Sequence, residues 1–175
     1  MTEDTYLEGS LELFYALMER LRTANSGGRS LSSCKKKTGW PDRGVYFFFD
    51  SGEVLDDGRL RVVRVGTHAI TENSSTTLWN RLSQHRGATS RITGASNGNH
   101  RGSVFRRHVG DALIAYDRKY ESISATWGVG STATPEIRDL EEPLENAVST
   151  YIGNLSVLWL DVSDPPSPVS DRAVI

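Results

Sequence analysis

Gly44-Val45-Tyr46-Phe47-Phe48-Phe49 is typical of a β-strand, because every residue after the glycine is β-branched or aromatic. A second segment of this kind, Leu60-Arg61-Val62-Val63-Arg64-Val65-Gly66, follows the turn-forming residues Asp56-Asp57-Gly58. The sequence therefore predicts two antiparallel strands joined by a long loop.

A helix is predicted over residues 76–86, after the second strand. Three hydroxyl residues at positions 74–76 are suitable N-caps, and Gly87 supplies a C-terminal stop. At 100° per residue the apolar side chains fall on one stripe, with Arg81 and His85 together beside it. The stripe consists of Leu78, Trp79 and Leu82. We expect Arg81 and His85 to line the rim of a cleft.

Further elements are predicted on both sides of this central region. Apolar residues recur at helical spacing over 5–22, 103–116 and 143–153, and a last strand covers 155–162. In the second of these helices, Arg106 and Arg107 are expected on the more exposed side. The Ser, Gly and Lys content of 24–37 predicts a flexible connector, and the aperiodic segment 88–102 predicts a functional loop.

The charge of the chain is unevenly distributed along the sequence. The formal net charge is only -2, yet residues 58–120 contain eleven Lys or Arg and three acidic residues, a local charge of +8. Clustered cations gain affinity for a phosphate backbone by releasing its counterions. This distribution favours a nucleic-acid partner, although a solvated basic face would have the same composition.

Three motifs occur in a fixed order: Gly44-Val45-Tyr46, then Arg64-Val65-Gly66, then Arg81 followed four residues later by His85. In this combination the chain resembles the GIY-YIG nuclease superfamily over about residues 44–162. The resemblance implies an α/β fold with a small three-stranded antiparallel sheet flanked by helices. It also implies hydrolysis of DNA phosphodiester bonds with a divalent metal, Mg²⁺ or Mn²⁺.

The resemblance implies roles that suit the residue types. Arg81 can hold two nonbridging phosphate oxygens at once, and His85 could orient water or carry a proton. Tyr46 is implied to position or deprotonate the attacking water, with cationic help because a free phenol has a pKa of about 10. The other expected phosphate or DNA contacts are Arg64, Arg86, His100 and Arg101.

The chain departs from the family pattern in three ways. Arg64 stands where the second motif has tyrosine, and the two strand motifs are further apart than is usual. The metal-binding glutamate usually lies on a helix after the third strand, but here the chain ends near that point. Mg²⁺ prefers oxygen ligands, so Glu145 on the preceding helix is the predicted substitute, the alternative being a truncated domain.

Other interpretations of the same residues remain open. Tyr46 could be a strand residue of the core, Arg81 and His85 an exposed helical pair, and His100 and Arg101 solvated. The chain could also be a DNA-binding or accessory module that keeps the GIY-YIG fold without metal chemistry. A protein-interaction domain that binds no nucleic acid is a third possibility.

Length and cysteine content limit the organisation of the chain. At 175 residues it suits one core, and we expect an N-terminal helix and connector at 1–38, the nuclease-like domain at 39–163, and a linker with the start of a truncated helix at 164–175. Cys34 is the single cysteine and the N-terminus lacks a secretory signal pattern. A reducing cytoplasm without membrane attachment is therefore expected.

Overall fold

The computed structural model describes residues 3–87 and 98–173, with side chains from Tyr6 onward. Its helices are α1 (Glu3–Ala24), α2 (Leu78–Arg86), α3 (Val104–Tyr116) and α4 (Pro135–Asn154). Its strands are β1 (Arg29–Ser30), β2 (Gly44–Val54), β3 (Leu60–Gly66) and β4 (Ser156–Asp161). The predicted mixed α/β class is confirmed. Most of the predicted loop at 88–102 lies outside the described residues, and none of the described helices is long and apolar enough to cross a membrane.

The chain divides into two compact units. The sheet unit takes in the described residues of Met1–Ser30, Pro41–Ser75 and Ser156–Ile175, with α1 and all four strands. The helical unit takes in those of Leu31–Trp40 and Thr76–Leu155, with α2, α3 and α4. The predicted domain boundaries at residues 38 and 163 stay a prediction.

The sheet has four strands, so the predicted number of three is wrong. The strand order is β1-β4-β2-β3, and each neighbouring pair is antiparallel. The additional strand is β1, in the segment predicted as a flexible connector, where Arg29 and Ser30 pair with Val157 and Ser156. Two residues are too few to show the period-two alternation by which a strand is recognised in sequence.

The hairpin between β2 and β3 is longer than predicted. β2 continues beyond Phe49 to Val54, which pairs with Leu60, so the connecting turn is short and the predicted long loop is wrong. The register shifts on both sides of Phe49, as expected where extra residues enter one strand as a bulge. The polar residues of this extension concealed it, because they lack the β-branched and aromatic signal of the first six residues.

One face of the sheet packs against α1. Val45, Phe47 and Phe49 alternate along β2 and form a buried cluster with Met18 of α1 and Leu158 of β4. Burial of each large apolar side chain contributes about 1.5–3 kcal/mol, so this cluster stabilises the packing of α1 on the sheet. The amphipathic helix predicted over 5–22 is confirmed as α1.

Tyr46 and Gly66 are paired on the opposite face of the sheet. They lie directly across from one another on β2 and β3, and Tyr46 is fully buried. A Cβ atom at position 66 would overlap the ring and the hydroxyl of Tyr46. The glycine that ends the second motif is therefore required for space: its missing side chain leaves room for the tyrosine of the first motif.

We expect Gly66→Ala to lower the free energy of unfolding by roughly 1–3 kcal/mol, as overpacking does in a well-packed core. Urea unfolding followed by circular dichroism would measure the change. Gly9→Ala is the control, since a Cβ there meets no atom within 4 Å and alanine favours a helix by roughly 1 kcal/mol over glycine. Equal stability of Gly66→Ala and the wild type would contradict this account of the motif.

In the helical unit, α4 is longer than the sequence predicts. The helix was expected to begin at Pro143, but it begins at Pro135, after the N-cap residue Thr134, and Pro143 lies inside it. Proline is tolerated in the first turn of a helix, where its missing N–H costs nothing, so both Pro135 and Pro143 are possible starts in the sequence. The expected start is wrong because the helix begins at the earlier proline. Pro143 is exposed, so its ring does not disturb the packed face of α4.

The residues after β4 are anchored by a buried arginine. Residues 168–173 form turns and no helix up to Ala173. Arg172 has no exposed surface; its guanidinium forms an ion pair with Asp164 and donates to the carbonyl oxygen of His68. The hydrogen bond from Arg172 lowers the pKa of Asp164. This C-terminal segment is thus part of the sheet unit.

Candidate active site

The helix α2 carries two of the predicted catalytic residues. Its N-cap is Thr77, whose hydroxyl accepts a hydrogen bond from the Asn80 N–H at 3.2 Å, and Gly87 ends it with a positive φ of 70°. The predicted helix is confirmed, with its start shifted by two residues. Arg81 is half-buried, and its Nη1 donates to the Gln84 side-chain oxygen at 2.8 Å. Gln84 in turn donates to the carbonyl oxygen of Gly102 at 2.8 Å.

His85 is fully buried in the helical unit, so the predicted position on an open rim is wrong for this residue. Its Nδ1 lies 2.8 Å from the Ser103 hydroxyl oxygen. Its ring packs edge-on against the ring of Phe105, with the two ring centroids 5.5 Å apart. The reason is helical geometry: His85 lies about two turns after the buried Leu78, so both residues face the same side of α2. Its predicted catalytic role stays a prediction.

Arg81 lines a pocket of about 200 Å³ together with two other predicted site residues, His100 and Arg101. The third arginine of this pocket is Arg107, and none of the lining residues is acidic among those that the structure describes. The structure therefore brings Arg81, His100 and Arg101 together. A small pocket with several guanidinium groups is suited to a phosphate, which a guanidinium can hold by two parallel hydrogen bonds.

Arg101 is engaged in an ion pair within the helical unit. Its two terminal nitrogens contact the two carboxylate oxygens of Glu141 at 2.6 and 2.9 Å, and both side chains are almost completely buried. Its guanidinium also donates to the carbonyl oxygens of Thr126 and Val129. The Glu141 hydrogen bonds raise the pKa of Arg101. The charge of Arg101 is thus compensated, and its predicted DNA contact stays a prediction.

Arg106 is completely buried, so its predicted exposure is wrong. Its guanidinium forms an ion pair with Glu145 and donates to the carbonyl oxygen of His85 at 2.8 Å and to the Ser149 hydroxyl at 2.9 Å. A helical wheel could have indicated this position. Val109 and Gly110, which follow Arg106 at the spacings that share one helix face, are both buried. Arg106 therefore holds the C-terminal end of α2.

The hydrogen bonds of His100 assign its tautomer. Nδ1 lies 2.9 Å from Glu145 Oε1, which can only accept, and Nε2 accepts from the Gly128 N–H at 3.0 Å. Nδ1 is therefore assigned as the donor and Nε2 as the acceptor. The imidazole also stacks on Trp127, with ring centroids 3.7 Å apart. His100 is almost completely buried, and its predicted role in gripping DNA stays a prediction.

Glu145 is ionised in the folded protein. Burial by itself would raise the pKa of Glu145, but the His100 hydrogen bonds and the Arg106 guanidinium outweigh burial and lower the pKa below the ordinary value of 4.5. A carboxylate with a lowered folded-state pKa stabilises the fold above the unfolded-state pKa. That stability is lost as the pH falls through the folded-state pKa.

We expect the urea midpoint of the wild type to be steady near neutral pH and to fall below about pH 4.5, where unfolded Glu145 takes up a proton. Glu142→Gln, a change on the same helix, should keep the full pH dependence. In Glu145→Gln the urea midpoint should be lower at neutral pH and should fall less steeply as the pH is lowered. Identical slopes in all three proteins would contradict the assignment of an ionised Glu145.

The residues at Glu145 do not fit a divalent metal. Oε1 accepts two hydrogen bonds from His100, one from the backbone and one from the ring, and Oε2 accepts two from Arg106. A carboxylate has about four acceptor sites, so these donors fill it. In the described residues no group of three or more His, Cys, Asp or Glu is placed to hold a metal ion. Glu145, the predicted metal ligand, is instead bound by the guanidinium of Arg106 and by the backbone and ring N–H groups of His100.

The remaining predicted site residues lie elsewhere. In the sheet unit, Arg64 pairs with Phe48 and therefore shares the sheet face of Tyr46, because directly opposed residues point to the same side. In the helical unit, Arg86 lines a separate cleft of about 750 Å³. The catalytic roles predicted for Tyr46, Arg81 and His85 stay predictions.

Comparison with known proteins agrees with the motifs. A family model described as the GIY-YIG domain matches residues 6–175, which is nearly the whole chain and includes all three motifs. No curated protein and no solved structure matches the chain. A match of this extent, together with the Tyr46–Gly66 pair and an α2 helix that bears Arg81 and His85, establishes the family. The chain belongs to the GIY-YIG nuclease superfamily.

Proposed function

We propose that this protein is a metal-dependent endonuclease that hydrolyses DNA phosphodiester bonds. The observation that carries the proposal is the position of Arg81, which lines a pocket of about 200 Å³ with Arg101 and Arg107. In the described part of the chain neither Arg81 nor Arg107 has an acidic partner, so both charges are available to an anion. Family membership supports the reaction class, and this pocket is the proposed position of the phosphate.

In this proposal Arg81 binds the nonbridging oxygens of the scissile phosphate. Negative charge on these oxygens increases as the phosphorus is attacked, so a fixed guanidinium stabilises the transition state more than the bound substrate. Arg107 adds a second positive charge from α3. Tyr46 is proposed to orient the attacking water, and His85 to exchange a proton with it or with the leaving oxygen.

The family implies Mg²⁺ or Mn²⁺, and we propose that cleavage requires one of them. Such an ion would lower the pKa of the attacking water and neutralise charge on the phosphate. Because Glu145 is already filled by protein donors, we assign no residue of this chain as its ligand.

The alternative is a DNA-binding or accessory module that keeps the fold without cleavage. Three observations favour it: the second strand motif has Arg64 in place of tyrosine, His85 is buried, and Glu145 has no acceptor site left for a metal. None of these features weakens DNA binding, because the cations of the pocket remain. The two functions therefore predict the same affinity for DNA and differ only in cleavage.

A supercoiled-plasmid assay with a parallel binding measurement separates them. We expect nicked plasmid with Mg²⁺ or Mn²⁺, no nicking with EDTA, and salt-dependent binding to a labelled duplex under all three conditions. Binding without nicking in either metal would select the accessory module. Neither binding nor nicking at low salt would reject both functions.

A further inference from the structure

One cleft of the helical unit has the charge of an anion site. This cleft of about 750 Å³ is lined by three cationic residues, Lys35, Lys36 and Arg86, and by no acidic residue among those described. Its other polar lining includes Asn146 and Asn154 of α4. In the described residues none of the three cations has an ion pair, so their charges are not compensated within the protein.

Arg86 is held in position at one wall of the cleft. Its Nη1 donates to the carbonyl oxygen of Cys34 at 2.9 Å, and its guanidinium carbon lies 5.2 Å from the ring centre of Trp79. Trp79 is itself stacked on Trp40 at 5.5 Å. Of the five N–H donors of Arg86, the described contacts use one. These two contacts order the guanidinium before a ligand arrives, which lowers the entropic cost of binding a phosphate.

The two lysines extend from an ordered turn. The Lys35 N–H donates to the Thr38 hydroxyl at 2.9 Å, and the Lys35 carbonyl oxygen accepts from the Trp40 indole N–H at 2.9 Å. A 3-10 turn over Lys36–Thr38 follows, and it ends at Gly39 with a positive φ of 92°. This turn lies in the segment predicted as a flexible connector, and the flexibility stays a prediction. Both exposed lysines line the same cleft.

A neighbouring pocket of the same unit shows the contrast. The pocket of about 420 Å³ is lined by four acidic residues and two arginines, so its charge disfavours an anion. Its acidic residues are Asp139, Glu141, Glu142 and Glu145. Of these three pockets, a phosphate would therefore favour the two whose described lining has no acidic residue, the Arg81 pocket and the Arg86 cleft.

The two acid-free pockets are reached from the same helix. Arg81 and Arg86 are five residues apart on α2, an axial distance of about 7.5 Å and a rotation of about 140°. One DNA strand carries a phosphate about every 3.4 Å of axial rise, so the axial offset alone corresponds to roughly two nucleotides, while the rotation places the two pockets on different sides of α2. We propose that the cleft of Lys35, Lys36 and Arg86 binds the phosphodiester backbone of DNA as a second anchor beside the Arg81 pocket. The proposal rests on DNA being the substrate proposed above.

The test is the salt dependence of binding to a short labelled duplex in EDTA, measured by fluorescence anisotropy. Each lost phosphate contact lowers the slope of log K against log salt by about 0.9, so Lys35→Ala/Lys36→Ala should lower it by about 2. Lys37→Ala is the matched control, because Lys37 is also exposed in the same turn but is not among the residues that line the cleft. It should leave the slope unchanged.

Two results would overturn the proposal. One is an equal slope in the double variant and in Lys37→Ala. The other is displacement of the duplex by inorganic phosphate or a mononucleotide more strongly than by chloride at equal ionic strength, which would indicate a small-anion site. Failure of the proposed function looks different: the lysines would still set the slope, but no plasmid would be nicked in Mg²⁺ or Mn²⁺. If plasmid is nicked but the salt slope does not depend on the two lysines, only the proposed role of the cleft is contradicted and the proposed function stands.

Discussion

Arg81→Ala is expected to lower the rate of plasmid nicking by on the order of 10²–10³-fold, the usual effect of removing one fixed donor to a developing oxyanion. The fold should not change, because Arg81 is half-buried and its described contact is a single hydrogen bond to Gln84. Arg81→Lys should restore part of the rate at most, since an ammonium group cannot hold two phosphate oxygens as a planar fork does. Initial nicking rates at saturating Mg²⁺ would measure both variants.

Two controls separate this effect from nonspecific changes. Asn80→Ala alters an exposed side chain on the same helix, and Arg20→Ala removes an exposed positive charge from α1. Both should nick plasmid at the wild-type rate. Circular dichroism should show the same helical content in all variants. Equal nicking by Arg81→Ala and the wild type would rule out the Arg81 pocket as the reaction site.

Glu145→Gln is expected to lower the free energy of unfolding by roughly 3–5 kcal/mol, a large part of the total for a small domain. The amide is the same size, so the loss arises from electrostatics: Arg106 remains fully buried without a counter-charge. The hydrogen bond from the His100 ring would also be weakened, because a neutral oxygen is a poorer acceptor than a carboxylate. Urea unfolding at pH 7 would measure the loss.

A second variant tests whether the pair acts as one unit. If Arg106 and Glu145 stabilise each other, Arg106→Met/Glu145→Gln should be more stable than the sum of the single losses implies, with a coupling of roughly 0.5–3 kcal/mol. Glu142→Gln is the control on the same helix and should cost little. A small loss in Glu145→Gln, or strict additivity in the double variant, would show that Glu145 does not compensate Arg106. In that case metal binding by Glu145 would regain support.

The strand and helix motifs could be predicted from sequence because their signals are local. Residues 44–49 and 60–66 carry β-branched and aromatic side chains, and α2 combines a cap, an apolar stripe and a glycine stop. The strand β1 could not be predicted, because a two-residue strand exists only through its pairing with β4. The extension of β2 to Val54 has the same origin, since the partner strand stabilises residues of weak β-propensity.

The candidate site was predictable in composition but not in its contacts. The sequence places Arg81, His100 and Arg101 in a basic region, and the structure brings them to one pocket. The sequence does not indicate that Arg101 is bound to Glu141, or that Arg106 and Glu145, 39 residues apart, form a buried pair. Charged residues are almost never fully buried unless paired, so exposure is the natural expectation until the partner is known.

The contact between Tyr46 and Gly66 explains why the two strand motifs tolerate an unusual separation. Their relation is fixed by pairing across β2 and β3, and any number of residues can lie beyond that pair toward the tip of the hairpin. Relatives with shorter or longer hairpins should therefore keep the same tyrosine and glycine facing each other. The tip at residues 55–59 is accordingly a suitable place to insert a peptide tag or a fluorophore site without disturbing the motif.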